Sequence, residues 1–132
     1  MIIKWNHGIM ESREGLVDFS DPVLGQLSVW TKGYFFDGDR MFVDDEIALW
    51  LVQALRGKKL EEIVPEMNGT FTVGVVADNK GLLQFATSRY GGMNVYLVCN
   101  EDELIIGDQF WQVVELSKRF DYNPQAVSSM LV

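Results

Sequence analysis

The stretch that most limits the fold is Gly69–Thr87, where the β-prone run GTFTVGVVA passes through Asp78-Asn79-Lys80-Gly81 into a second run, LLQFAT. Two runs of β-branched and apolar residues joined by a short polar turn with glycine read as an antiparallel hairpin. The pattern recurs. Asn94–Cys99 forms a further strand, Asn100-Glu101-Asp102-Glu103 a turn, and Leu104–Gly107 the return. Leu27–Phe36 reads as one or two strands interrupted at Lys32-Gly33, followed by the tight turn Asp37-Gly38-Asp39. Ile2–Trp5 reads as a strand that ends in the turn Asn6-His7-Gly8, whereas Glu11–Gly25 shows no period and reads as loop and hairpin.

Between these runs lies one clear helix. Ile47, Trp50, Leu51, Ala54 and Leu55 fall on a single stripe at helical spacing. Asp44 or Asp45 is suited to cap its first turn, and Gly57 ends it ahead of Lys58-Lys59. A short helix at about Leu60–Val64 stops at Pro65, another spans Gln109–Leu116, and Asn123-Pro124 opens a last one. Hairpins with helices laid between them predict antiparallel sheets covered by helices, an α+β domain over residues 1–132.

Composition narrows the function classes. A formal net charge of -8, with no basic stripe, argues against a sequence-independent grip on nucleic acid or anionic lipid. The apolar runs are far shorter than a membrane span, and the first residues do not resemble a secretory signal, so a cytoplasmic location is expected. Cys99 is the sole cysteine, which excludes an internal disulfide and a multi-cysteine zinc site. No metal site is expected. His7 has no partners at metal-ligand spacing, and the acidic residues from Asp37 to Glu46 lack the calcium-loop pattern.

Several stretches, taken in order, carry a resemblance. Glu62–Phe71, EIVPEMNGTF, is similar to a helix running into "L-x-G-x-F-A"; Leu82–Leu97, LLQFATSRYGGMNVYL, to "l-x-l-a-R-D-R-x-G-x-x-P-L-Y-Y"; and Glu103–Val114, ELIIGDQFWQVV, to "l-x-f-a-S-E-x-k-a-l". These are segments of the N-terminal class II glutamine amidotransferase domain of the asparagine synthase family, which the chain resembles. The resemblance implies the four-layer αββα sandwich of N-terminal-nucleophile hydrolases, with two antiparallel sheets, here incomplete at the N-terminal side. Gly69, Arg89, Gly91 and Tyr96 are then structural motif residues. Gly91 allows a sharp change between strands, and Arg89 is placed to brace that loop.

The same resemblance shows what chemistry is missing. A glutaminase of this kind attacks with an N-terminal cysteine whose own amine is the base. Position 2 here is isoleucine, which has no nucleophilic atom. Cys99 sits at a strand end with no histidine near it in sequence and reads as a small hydrophobe. The oxyanion-binding Asn-Gly pair corresponds to Lys32-Gly33, so the side-chain donor is lost and only the Gly33 N–H remains; losing one such donor costs roughly a hundred- to a thousand-fold in rate. Arg13-Glu14-Gly15 is a poor counterpart of the arginine loop that holds the glutamine carboxylate. Asp44 or Asp45 matches the aspartate that receives the glutamine amino group, although capping of the helix explains both without a ligand.

The expectation is a vestigial pocket at Lys32, Gly33, Asp44 and Asp45 with no catalytic residue: a non-catalytic scaffold or binding domain. Its parent would be an ATP-dependent amide-forming ligase related to asparagine synthase, using free ammonia or an amine of its substrate. Because the last helix runs uncapped to Val132, the partner expected is a C-terminal synthetase domain of the same parent, and ATP and Mg belong only there. A homodimer is left open. The alternatives are the glutaminase half of a glutamine-hydrolysing asparagine synthase, and an unrelated small α+β binding domain.

Overall fold

The computed structural model describes residues 1–7, 9–77, 80–88 and 94–117. It is α+β, with two antiparallel sheets and three helices among the described residues. The chain divides into two compact units, one built from residues 1–15 and 94 onward, the other from 16–93.

The larger unit holds β3 (Val17–Asp21), β4 (Gly25–Asp37), β5 (Arg40–Val43), β6 (Asn68–Ala77) and β7 (Leu82–Thr87), with α1 (Asp45–Leu55) and α2 (Leu60–Ile63). Its sheet runs in the order β3-β4-β6-β7, with β5 alongside β4. Of the one or two strands read over Leu27–Phe36, the structure has one, and Lys32-Gly33 does not interrupt it. β4 is one strand, paired with β6 without a register shift from Ser28↔Val76 to Phe36↔Asn68. Alternation therefore holds along its length, and Leu27, Val29 and Phe35 join Phe71, Val73 and Val75 on the helix-bearing face. Ile47, Ala48, Leu51 and Val52 of α1 cover that face. Trp50, Ala54 and Leu55, three of the five residues that the spacing puts on the buried stripe, are only partly buried. Phe35 anchors the cluster, stacked on Phe42 with ring centroids 5.1 Å apart and 4.5 Å from Trp50. Pro65 does not end the second helix directly. It lies inside a 3₁₀ turn, Val64–Glu66, that continues from α2, where a missing N–H is tolerated.

The hairpin most evident in the sequence forms as expected, with β6 and β7 paired from Thr72↔Thr87 to Ala77↔Leu82.

The smaller unit holds β1 (Ile2–Asn6), β2 (Ile9–Glu14), β8 (Tyr96–Cys99) and β9 (Glu103–Gly107) in the order β2-β1-β9-β8, with α3 (Phe110–Ser117) packed on the sheet. Its core is Ile2, Ile105 and Val113, flanked by Tyr96, Val98 and Leu116. The stretch read as loop and hairpin, Glu11–Gly25, holds most of β2 and all of β3, and the β3–β4 hairpin turns at Asp21-Pro22. β2 and β3 are each an outermost strand of their sheet. A strand with one neighbour has one pairing edge and much exposed surface, so its residues need not alternate: IMESRE carries no period-2 signal, and β3 carries only the four-residue alternation of Val17-Asp18-Phe19-Ser20. The helix expected from Asn123-Pro124 lies outside the described residues.

Candidate functional site

Three of the four expected pocket residues sit where β4 meets the start of α1, but they do not form a cup. Asp44 adopts φ 47 and ψ -113 between β5 and α1, a conformation that suits glycine and strains other residues. Three bonds to β4 hold it there. The Asp44 N–H donates to Gly33 O at 2.8 Å, the Gly33 N–H donates to Asp44 Oδ1 at 2.9 Å, and Thr31 Oγ1 donates to Asp44 O at 2.7 Å.

This clasp corrects two expectations. The Asp44 carboxylate does not cap α1, since the cap position makes no side-chain cap hydrogen bond; it turns back to the strand. The Gly33 N–H, the one oxyanion donor the resemblance left in place, is already engaged by that carboxylate. Asp45 is the first residue of α1 and exposed, suited to the positive end of the helix dipole. Lys32 is exposed and pairs in register with Thr72, on the face of β4 that alternation turns away from α1, so it does not converge with Gly33 and Asp44.

Backbone approach explains the glycines. Gly33 has φ +102, and a Cβ there would overlap Thr70 O and lie 2.8 Å from Phe71 Cα. Gly69 needs no unusual φ, but a Cβ on it would overlap Tyr34 O and lie 2.5 Å from Phe35 Cα. The two strands thus press together at both positions, and the "N-G-T-F" glycine is set by packing against β4. One pairing went unread in the sequence: Ser88 sits where β7 ends, its N–H donating to Phe71 O at 2.9 Å and its Oγ accepting the Phe71 N–H at 3.2 Å. Thr31 was missed as well, although a hydroxyl two residues before Gly33 on the same strand face was the available signal.

Tyr96 lies at the start of β8 with its ring 5.5 Å from that of Phe110. Arg89 and Gly91 lie outside the described residues. Ile2 is buried in the smaller core, paired to Glu14 on one side and Gly107 on the other. Cys99 is exposed at the end of β8, its Sγ 3.9 Å from Asn100 O. His7 is exposed in the turn after β1, with Nδ1 3.6 Å from an Asp102 carboxylate oxygen.

Comparison with protein-family models, with curated proteins and with solved structures returned no match. The chemistry of the site therefore rests on its own geometry.

Elsewhere in the larger unit a second polar cluster joins α1 to the β3–β4 turn. The buried Asp21 carboxylate accepts from the Val23 and Leu24 N–H groups at 2.8 and 2.9 Å. It also takes both Nε and Nη2 of Arg56, at 2.9 and 2.6 Å. The Arg56 hydrogen bond, then the Leu24 N–H, holds the Asp21 carboxyl at about 2, against an ordinary 3.8. This geometry is a clamp within the fold, with its acceptors already filled.

Proposed function

We propose that this chain is a non-catalytic, glutaminase-like scaffold and binding domain of an amide-forming protein related to asparagine synthase. The observation that carries the reading is the mutual hydrogen bond of Gly33 and Asp44 at 2.9 Å. The resemblance matches Gly33 to the oxyanion donor and either Asp44 or Asp45 to the aspartate that receives the glutamine amino group; of the two, Asp44 is the one bonded to Gly33. In this chain each satisfies the other, and a glutamine would have to break a charge-assisted bond to engage either. The residue at position 2 supports the same conclusion, because its side chain is a branched alkane packed into a sheet core.

The finer architecture, four αββα layers as in N-terminal-nucleophile hydrolases, is part of this proposal and rests on the resemblance. Each unit supports it by supplying an antiparallel sheet with helices on one face. ATP and Mg would act in a separate synthetase domain, which would also be the binding partner.

The test is to incubate the full chain with glutamine, assay glutamate, and treat the protein with a glutamine-analogue electrophile. Neither glutamate above the no-enzyme background nor labelling of Cys99 is expected. Glutamate formation abolished by Cys99→Ala would establish the glutaminase alternative instead. An experimental structure without two stacked sheets would leave the third reading, a small α+β binding domain.

A further inference from the structure

We infer that a groove in the larger unit, between the α1–α2 connection and the β6–β7 hairpin, binds a small organic carboxylate with an apolar body. The inference does not depend on the family reading, since it uses only the shape and charge of this one unit.

The floor of the groove is apolar and fixed. Leu27 of β4, Leu60 of α2, and Val75 and Ala77 of β6 line it, and all four are buried in the fold. The rim is cationic. Lys58 and Lys59 stand on one side and Lys80 on the other. In a chain of formal net charge -8, three lysines line this one apolar hollow. Glu61 also lines the groove, and Lys58 is held by Glu66 at 2.9 Å, so these two acids offset part of the charge. Two cations remain. The Lys59 ammonium has no ion-pair or hydrogen-bond partner among the described residues. Lys80 Nζ donates one hydrogen bond, to Leu24 O at 3.1 Å, which leaves two of its three N–H groups.

An apolar floor rewards burial of an apolar body, and two available ammonium groups at the mouth reward an anion at its end. The volume, about 290 Å³, sets the size. At roughly 30 Å³ for each water-sized group, it holds about ten non-hydrogen atoms. Octanoate meets all three requirements and is the probe of choice.

The full chain is titrated by calorimetry and by amide chemical shifts with octanoate, octylammonium and 1-octanol. Saturable octanoate binding is expected, with shifts at Leu60, Ala77 and Leu82 and markedly weaker binding of the other two. The double variant Lys59→Gln, Lys80→Gln is expected to weaken octanoate by about tenfold. Gln84→Glu, which places a carboxylate on the wall, is expected to weaken octanoate while leaving the melting temperature unchanged. Equal binding of all three probes, or an unchanged affinity in the double lysine variant, means that the lysines only drape their stems over apolar surface, and overturns the proposal. So does a concentration-dependent dimer, seen by sedimentation, that excludes octanoate, since the occupant is then a second copy of the chain.

Discussion

At Gly33 two independent constraints meet, a φ of +102 and the backbone of β6 where a Cβ would stand. Gly33→Ala must strain one and displace the other, at a cost of about 2–4 kcal/mol in urea unfolding. Gly57→Ala is the control: no atom lies within 4 Å of its Cβ position and its φ is not positive, so it is expected to change stability by less than about 1 kcal/mol. Asp44 gives a second test. Asp44→Ala keeps the strained backbone but removes the acceptor of the Gly33 N–H, and should destabilise by about 1–3 kcal/mol, whereas Asp44→Asn retains an acceptor and should lose less. The sequence marked both residues, but for other reasons. Gly33 was legible as a backbone donor and Asp44 as a helix cap. The actual reason is that each completes the other, and this depends on a contact between positions eleven residues apart that no local pattern encodes.

Among the elements, those with a strong local pattern were readable whether they have two sheet neighbours, as β6 has, or one, as β7 and β8 have. β6 and β7 carried their signal in β-branched residues and a turn, and α1 in its stripe. β2 carried none and β3 only four alternating residues, because an outer strand is held by backbone pairing and tolerates Glu, Arg, Ser and Asp along its exposed edge. β3 gains a second anchor through the Asp21–Arg56 clamp, and this sets a pH dependence. Asp21 titrates at about 2 in the fold and at its ordinary 3.8 when unfolded. A depressed carboxylate stabilises the folded state fully above the unfolded value, and that contribution is lost as pH falls toward the folded one. The melting temperature is therefore expected to drop between pH 4 and pH 2. The slope attributable to Asp21 should disappear in Asp21→Asn, and Arg56→Met should reduce it, both measured by thermal scans across that range. Both variants should also melt lower than the parent at pH 7.

The molecule is built as two units, and in the larger one β4 is the organising strand: β6 pairs with it from Ser28 to Phe36, with β3 and β5 on its other side. Amides of Ser28–Phe36 are expected to exchange slowest with deuterium in the larger unit, and those of the outer strand β3 to exchange orders of magnitude faster, a contrast that exchange mass spectrometry reads directly. If β3 proved as protected as β4, the assignment of β4 as the stable centre would be wrong. The sequence alone determined the α+β class, the β6–β7 hairpin, the helix α1, and the lack of a nucleophile at position 2, because periodicity, turn chemistry and side-chain identity act over a few neighbouring residues. Tertiary structure decided that Lys32-Gly33 lies within a continuous strand, that β2 and β3 are strands at all, and that Asp44 bonds to Gly33 instead of capping its helix. Each of those outcomes depends on which distant segment supplies a hydrogen-bond partner, and a partner's position exists only once the chain has folded.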